Sequence, residues 1–213
     1  MPLCAFDLDH TLVKTPLDLA AMAADMRAHL EGAGACLPAR EERYRVGELL
    51  QFCKREMPAY EGALWTLALE REQRAMDLAS LEPGALDALA GARRLGFATA
   101  LWTNNAGSVT RSALARLGLA EHFDVVVTRD EMRELKPHPD GWRVIADLVA
   151  GDGDGGRRTF MVGDSWVDGV AATAAGVPFI AYRMTPADLA RWNIDPVVTL
   201  TDLAELPRWL AGR

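Results

Sequence analysis

Asp7 and Asp9 lie two residues apart at the end of a short apolar run, Leu3-Cys4-Ala5-Phe6-Asp7-Leu8-Asp9. In extended chain, residues i and i+2 share a face. Two like charges side by side at a buried edge repel strongly, and a bound cation or a shared proton relieves that repulsion. The bland alternative is an acidic loop after a strand. Further along, Trp102-Thr103-Asn104-Asn105 places a hydroxyl and two amides after another apolar run. A hydroxyl with exposed backbone N–H groups can hold phosphate oxygens there, or it can cap the helix expected over Gly107 to Leu117.

Lys136 stands directly before Pro137, with Pro139 following. Proline biases the preceding residue toward extended geometry, so the ammonium is presented from a stiff turn as a point charge able to neutralise phosphate. A solvated loop lysine is the alternative. Finally, Phe160-Met161-Val162-Gly163-Asp164-Ser165-Trp166-Val167-Asp168 sets two acids four residues apart where a strand gives way to a helix. Residues so spaced share one helix face. Hard oxygen ligands from two strand ends suit Mg²⁺, which keeps several waters and accepts one or two carboxylates together with a substrate phosphate. Helix capping by Asp164 is the competing reading.

These residues need a scaffold that brings strand ends together. Apolar runs at Leu3 to Leu8, Phe97 to Trp102, Val125 to Thr128, Thr159 to Val162 and Pro178 to Tyr182 alternate with amphipathic stretches. Such alternation implies right-handed crossovers and a parallel α/β sheet of Rossmann-like type, with sites at the carboxyl ends of its strands. From Thr15 to Ser80 the texture changes to Ala, Leu, Glu, Arg and Met without a convincing strand. It reads as three or four helices inserted after the first strand, and Glu82-Pro83-Gly84 marks the return to the core. The expected division is residues 1–14 and 81–213 as α/β core, with 15–80 as a helical cap. Within 15–80, Leu49, Leu50, Phe52, Leu64, Leu67 and Leu69 are the expected apolar core.

The formal charge of −7 leaves no global field to attract nucleic acid or anionic lipid, so an anionic substrate would need local cations. Three cysteines, Cys4, Cys36 and Cys53, have no metal-like spacing, which argues against a disulfide framework or a zinc site and fits a reducing cytoplasm. The first residues lack a basic leader, and no 18-residue uncharged apolar run occurs; neither export nor a membrane span is expected. Gly151, Gly153 and Gly156 formally spell a dinucleotide fingerprint. They follow a predicted helix and precede a predicted strand, the reverse of what pyrophosphate binding needs, and read as a solvated turn. His29, His122 and His138 show no metal-site spacing.

Acids, hydroxyl, lysine and acids thus follow one another in order, each at or just after a predicted strand. With Asp7-Leu8-Asp9-His10-Thr11-Leu12 and Gly163-Asp164-Ser165-Trp166-Val167-Asp168, the chain resembles the haloacid dehalogenase superfamily, specifically its phosphatases with a helical cap, and is similar to phosphoglycolate phosphatases in length and cap placement. The resemblance implies Asp7 as nucleophile and Asp9 as general acid and base. It implies phosphate binding by Thr103, Asn104 and Lys136, and Mg²⁺ held by Asp7, the backbone carbonyl of Asp9, Asp164 and Asp168. An acid at position 9 distinguishes the phosphatases from the dehalogenases that name the superfamily. The implied activity is hydrolysis of a small phosphorylated metabolite through an aspartyl phosphate.

His10 departs from the glycine found in many relatives, either narrowing the site or facing solvent, and Trp166 puts an indole inside the metal motif, where packing is the expected role. Arg40, Arg43, Tyr44, Arg45, Lys54 and Arg55 concentrate charge in the cap. They could bind a second anionic group, but interleaved Glu41, Glu42, Glu48 and Glu56 favour a solvated face. A phosphomutase would use the same nucleophile and metal, and a receiver-type module would pair a phosphorylated aspartate with Thr, Lys and Mg²⁺. That module needs its acceptor at the third strand. Monomer and homodimer both remain open, as does the substrate.

Overall fold

A computed structural model describes residues 1–149 and 158–213; the glycine-rich stretch Gly151 to Gly156 lies outside the described residues. Six strands form one sheet: β1 (Leu3–Phe6), β4 (Ala98–Trp102), β5 (Val125–Val127), β6 (Thr159–Gly163), β7 (Phe179–Tyr182) and β8 (Val198–Leu200). Their order is β5-β4-β1-β6-β7-β8, and every pairing is parallel. This is the α/β, Rossmann-like sheet expected, with a sixth strand, β8, that the apolar runs did not reveal. Only three residues long, with its middle residue exposed, β8 carries too little pattern to stand out.

The chain builds outward from β1 through β4 to β5, then returns to lay β6 on the other side of β1. At such a reversal the flanking connections diverge to opposite faces and leave a crevice beyond the strand ends. Of the three strands at the reversal, β1 and β4 are buried along their whole length and β6 at all but its first residue. Phe6 and Trp102 are fully inaccessible, and Leu3, Ala5, Ala98, Ala100, Trp102 and Met161 line one face of the sheet within a continuous apolar cluster.

A two-residue antiparallel pair, β2 (Val13–Lys14) with β3 (Ser80–Leu81), joins the chain on either side of the insertion. Two compact units result. Met1–Thr15 with Ala79–Arg213 forms the sheet-bearing unit, and Pro16–Leu78 forms the other. The second holds α1 (Leu19–Gly32), α2 (Val46–Glu56) and α3 (Glu61–Asp77), with α1 packed on both others. Asp18 caps α1, its Oδ1 accepting from the N–H groups of Ala20 and Ala21 at 2.9 Å.

The core of this helical unit is built from Met22, Met26, Leu30, Leu49, Leu50, Cys53, Leu64, Ala68 and Met76. Leu69 is a correction to the sequence reading, since it is 38% exposed, and Phe52 and Leu67 are only half-buried. The buried face of α3 runs through Leu64, Ala68, Glu72 and Ala75, and Leu69 lies about 100° around the helix from Ala68. Three members of the basic concentration pair with interleaved glutamates: Arg40 with Glu48 at 2.6 Å, Arg55 with Glu56 at 2.6 Å and Arg45 with Glu42 at 3.9 Å. Arg40 also lies 3.8 Å over the Tyr44 ring. These pairings favour the solvated-face reading over an anion site.

Candidate active site

Asp7 immediately follows β1, Thr103 follows β4 and Asp164 follows β6. These are the three strands at the reversal, so their carboxyl ends carry the acids and hydroxyl into one crevice. Lys136 arrives from the loop before α6 (Asp140–Val149). Its Nζ donates to Asp7 Oδ1 at 2.6 Å, to Asp168 Oδ1 at 2.6 Å and to the Trp102 carbonyl at 2.8 Å. Three acceptors satisfy the three protons of one ammonium. The side chain is only 1% exposed, so this is a buried cation held between two buried anions.

The backbone at Lys136 is itself clamped. Asn104 Oδ1 accepts from the Lys136 N–H at 2.9 Å, and Asn104 Nδ2 donates to the Lys136 carbonyl at 3.0 Å. The Asn104 side chain is thereby committed to positioning Lys136, which narrows the expectation that it binds phosphate to its backbone N–H alone. The Lys136–Pro137 peptide bond is cis.

Asp168 occupies the third position of α7 (Trp166–Ala174), and the capping residue is Ser165, not Asp164. Asp168 Oδ2 accepts from the Ser165 N–H at 3.1 Å and from its hydroxyl, the carboxylate half of a capping box. One carboxylate therefore secures the N-terminus of α7 with one oxygen and holds Lys136 with the other. Gly163 makes this approach possible: a Cβ there would lie 2.5 Å from Asp168 Cβ, closer than two carbons can come. Asp164 Oδ1 accepts from the Thr11 hydroxyl at 3.2 Å.

Asp7, Asp164 and Asp168 each offer an oxygen within 4.8 Å of the others, and no other group of three or more His, Cys, Asp and Glu side chains is placed to hold a metal among the described residues. The donors are all hard oxygens, which suits a hard divalent cation such as Mg²⁺. The Asp9 carboxylate stands outside this cluster. Its Oδ2 accepts from Asn105 Nδ2 at 2.6 Å, while its Oδ1 is buried with no hydrogen-bond partner. The Asn105 N–H in turn donates to Thr103 Oγ1 at 3.2 Å, linking the buried Thr103 hydroxyl to the Asp9 acid.

Electrostatics follow from this crowding. Burial, then the charge of Asp168, raises the Asp7 carboxyl well above its ordinary range despite Lys136. Burial raises Asp9 against the opposing Asn105 bond. Burial and then Asp168 push Asp164 up to about 7. Burial alone would lower Lys136, but Asp168 and Asp7 outweigh it and hold the ammonium above the usual lysine range. One cation serves three clustered acids, so the acids are short of countercharge and the cation is not.

A group that binds its proton more tightly folded than unfolded stabilises the fold below the unfolded pKa, and that contribution disappears as pH rises through the folded value. For Asp164 the window runs from about 4 to about 7. The acids whose pKa is lowered, among them Asp124 and Glu131, lose stability only below their ordinary range, so they do not interfere above pH 5. Chelated protein is expected to be less stable at pH 8 than at pH 5.5, by on the order of a few kcal/mol, and to melt at a lower temperature. Added Mg²⁺ should raise Tm more at pH 8. Calorimetry at the two pH values checks this, and equal Mg²⁺ shifts would contradict it.

Sequence reasoning missed the roles of Asn105 and Gly163, though both stand inside the motifs it singled out. His10 adopts a left-handed backbone at φ 59°, which explains why glycine suits that position. Trp166 stacks on Trp192 with centroids 4.1 Å apart, the packing role expected of it. Asp7 and Asp168, one acid from each motif, meet at Lys136, with Asp164 beside them.

Residues 1–176 match the haloacid dehalogenase-like hydrolases. A phosphoglycolate phosphatase from Chromobacterium violaceum is 31% identical over 213 residues, covering 95% of this chain and 93% of that protein. A plasmid-borne phosphoglycolate phosphatase of Cupriavidus necator is 37% identical over 106 residues, half of this chain and 45% of that protein. Among solved structures, a hydrolase from Pseudomonas syringae superposes with a TM-score of 0.71 at 20% identity, covering 100% of this chain and 99% of that one; it shares the fold. The chain belongs to the haloacid dehalogenase-like hydrolases. Within them it is a phosphatase enzyme.

Proposed function

We propose that this phosphatase is Mg²⁺-dependent and hydrolyses a small phosphorylated metabolite, with phosphoglycolate the leading candidate from the names of its relatives, through an aspartyl phosphate on Asp7. The observation that carries the reading is the Lys136 ammonium bonded to both Asp7 and Asp168 at 2.6 Å beside Asp164. A structural ion pair does not need a third acid. A centre that gathers a metal and a phosphoryl group does.

Bound by the oxygens of Asp7 and Asp164, with the Asp9 carbonyl and Asp168 completing its surroundings, Mg²⁺ would neutralise the charge of the carboxylates and of the phosphoryl oxygens. An Asp7 carboxylate oxygen attacks phosphorus in line, and the ester P–O bond breaks. Lys136 holds Asp7 in position and meets the negative charge on the transferring group. Thr103 Oγ1 and backbone N–H groups of its loop meet the remaining phosphoryl oxygens.

Asp9, its proton retained by burial, gives that proton to the leaving alkoxide through its unpartnered Oδ1. The same carboxylate then takes a proton from water as the water attacks phosphorus, releasing phosphate and regenerating Asp7. Free cysteines and an acidic surface suit a cytoplasmic setting. Among the described residues no helix is long and apolar enough to cross a membrane.

Purified protein is expected to release phosphate from p-nitrophenyl phosphate and from 2-phosphoglycolate with Mg²⁺ present, and to lose that activity in excess chelator. Chelator-insensitive hydrolysis, or an isomerised sugar phosphate formed without free phosphate, would contradict the proposal. Asp9→Asn keeps shape but removes the transferable proton. Its kcat should fall roughly 10²–10⁴-fold, with KM changed far less in the same steady-state assay.

A further inference from the structure

Beside Asp164 lies a small cleft of about 260 Å³, lined by His10, Lys14, Glu82, Asp164, Tyr182 and Arg183. All six belong to the sheet-bearing unit. Sites for drug-sized ligands run to roughly 300–1,000 Å³, so this one suits only a small metabolite or part of one. At one wall Glu82 is a buried carboxylate, its side chain 2% exposed. It accepts from the Tyr182 hydroxyl at 2.6 Å and from Arg183 Nη1, and Lys14 Nζ stands 4.0 Å away. Lys14 and Arg183 nonetheless keep 55% and 49% of their side chains exposed. Anchored by Glu82, both cations still reach solvent.

Charge accounting favours an anion. Asp164 is assigned to the metal end, which leaves two cations facing the single charge of Glu82, with the His10 ring beside them. The backbone adds an independent observation. His10 and Arg183 both adopt left-handed φ, 59° and 53°, a conformation that disfavours any residue with a Cβ. Asn193, the third such residue among those described, and His10 are of types that tolerate it, so the strain is sharpest at Arg183. Glycine would hold either backbone without strain, yet two long polar side chains occupy these positions and line the same cleft.

We infer that this cleft binds a carboxylate on the substrate, so that Lys14 and Arg183, with His10, select a phosphorylated short-chain acid over a neutral phosphomonoester. The inference rests on the proposed phosphatase reading and adds where specificity resides. Phosphorus would face Asp7, while the carboxylate of a compact substrate meets the cations beyond Asp164. These are specificity-determining residues and take no part in bond making.

The test compares kcat/KM for 2-phosphoglycolate with that for p-nitrophenyl phosphate, in Mg²⁺, for the full chain and for Lys14→Gln and Lys14→Arg. Lys14 is more than half exposed, and its ammonium stands 4.0 Å from Glu82, so its replacement leaves the fold intact. The ratio of the two constants should fall about tenfold in Lys14→Gln, the strength of one charge-assisted hydrogen bond. The loss should fall on KM and not on kcat, and Lys14→Arg should recover most of it.

An unchanged ratio in an active Lys14→Gln enzyme would overturn the inference. So would a loss seen only with a short bisphosphate as substrate, because the cleft would then recognise phosphate and not carboxylate. Absence of Mg²⁺-dependent hydrolysis of the aryl phosphate by the unaltered enzyme would instead overturn the phosphatase reading itself.

Discussion

Asp7→Asn is expected to lower kcat by on the order of 10⁴-fold or more while the protein stays folded. An amide has nearly the shape of the carboxylate it replaces but cannot attack phosphorus. The neighbouring carboxylates are engaged elsewhere, Asp168 with Lys136 and Ser165, Asp9 with Asn105 and Asp164 with Thr11. Stability should be preserved or improved. Burial and the neighbouring Asp168 charge disfavour the ionised Asp7, and the amide removes one member of a repelling trio, while Lys136 keeps its bonds to Asp168 and the Trp102 carbonyl. Steady-state kinetics with a parallel thermal melt checks both halves. Activity within tenfold of the unaltered enzyme would mean that another group attacks.

Lys136→Met should have the largest effect on stability. Its ammonium is the cation bonded to both Asp7 and Asp168, whose side chains are 10% and 1% exposed. Removing one partner of a buried pair leaves uncompensated charge and typically costs about 3–5 kcal/mol. For a chain of this size that corresponds to a Tm lower by roughly 10 °C. The loss should be greater at pH 8 than at pH 5.5, because protonation relieves stranded carboxylates. A defect of packing alone would be the same at both pH values, so a pH-independent loss would contradict the electrostatic account. Turnover should fall as well, since methionine cannot meet the charge on a transferring phosphoryl group.

What could be read in the sequence was whatever a strand end imposes locally. Asp7, Thr103 and Asp164 announce themselves because each follows a buried apolar run, and a parallel sheet gathers such ends at one edge. Lys136 was legible through Pro137. Partnership across the chain was not: nothing local says that Asn104 serves the Lys136 backbone, 32 residues on, or that Asn105 reaches back to Asp9.

Gly163 stands out in sequence only as part of a motif, because the close approach it permits is visible only once α7 is laid over β6. Glu82 read as turn punctuation beside Pro83 and Gly84. Its burial against Tyr182 and Arg183, a hundred residues away, depends on contacts that no window of sequence contains. Leu69 differs for a simpler reason: apolar character alone does not mean burial, and helix phase decides which leucines face inward.

The most direct measurement is to quench the enzyme in acid during turnover with Mg²⁺ and substrate, then map covalent phosphate by peptide mass spectrometry. A phosphoryl group on Asp7, absent from Asp7→Asn and absent when chelator replaces Mg²⁺, is the predicted result. Turnover accompanied by an unmodified Asp7, or by phosphate on any other residue, would contradict the account.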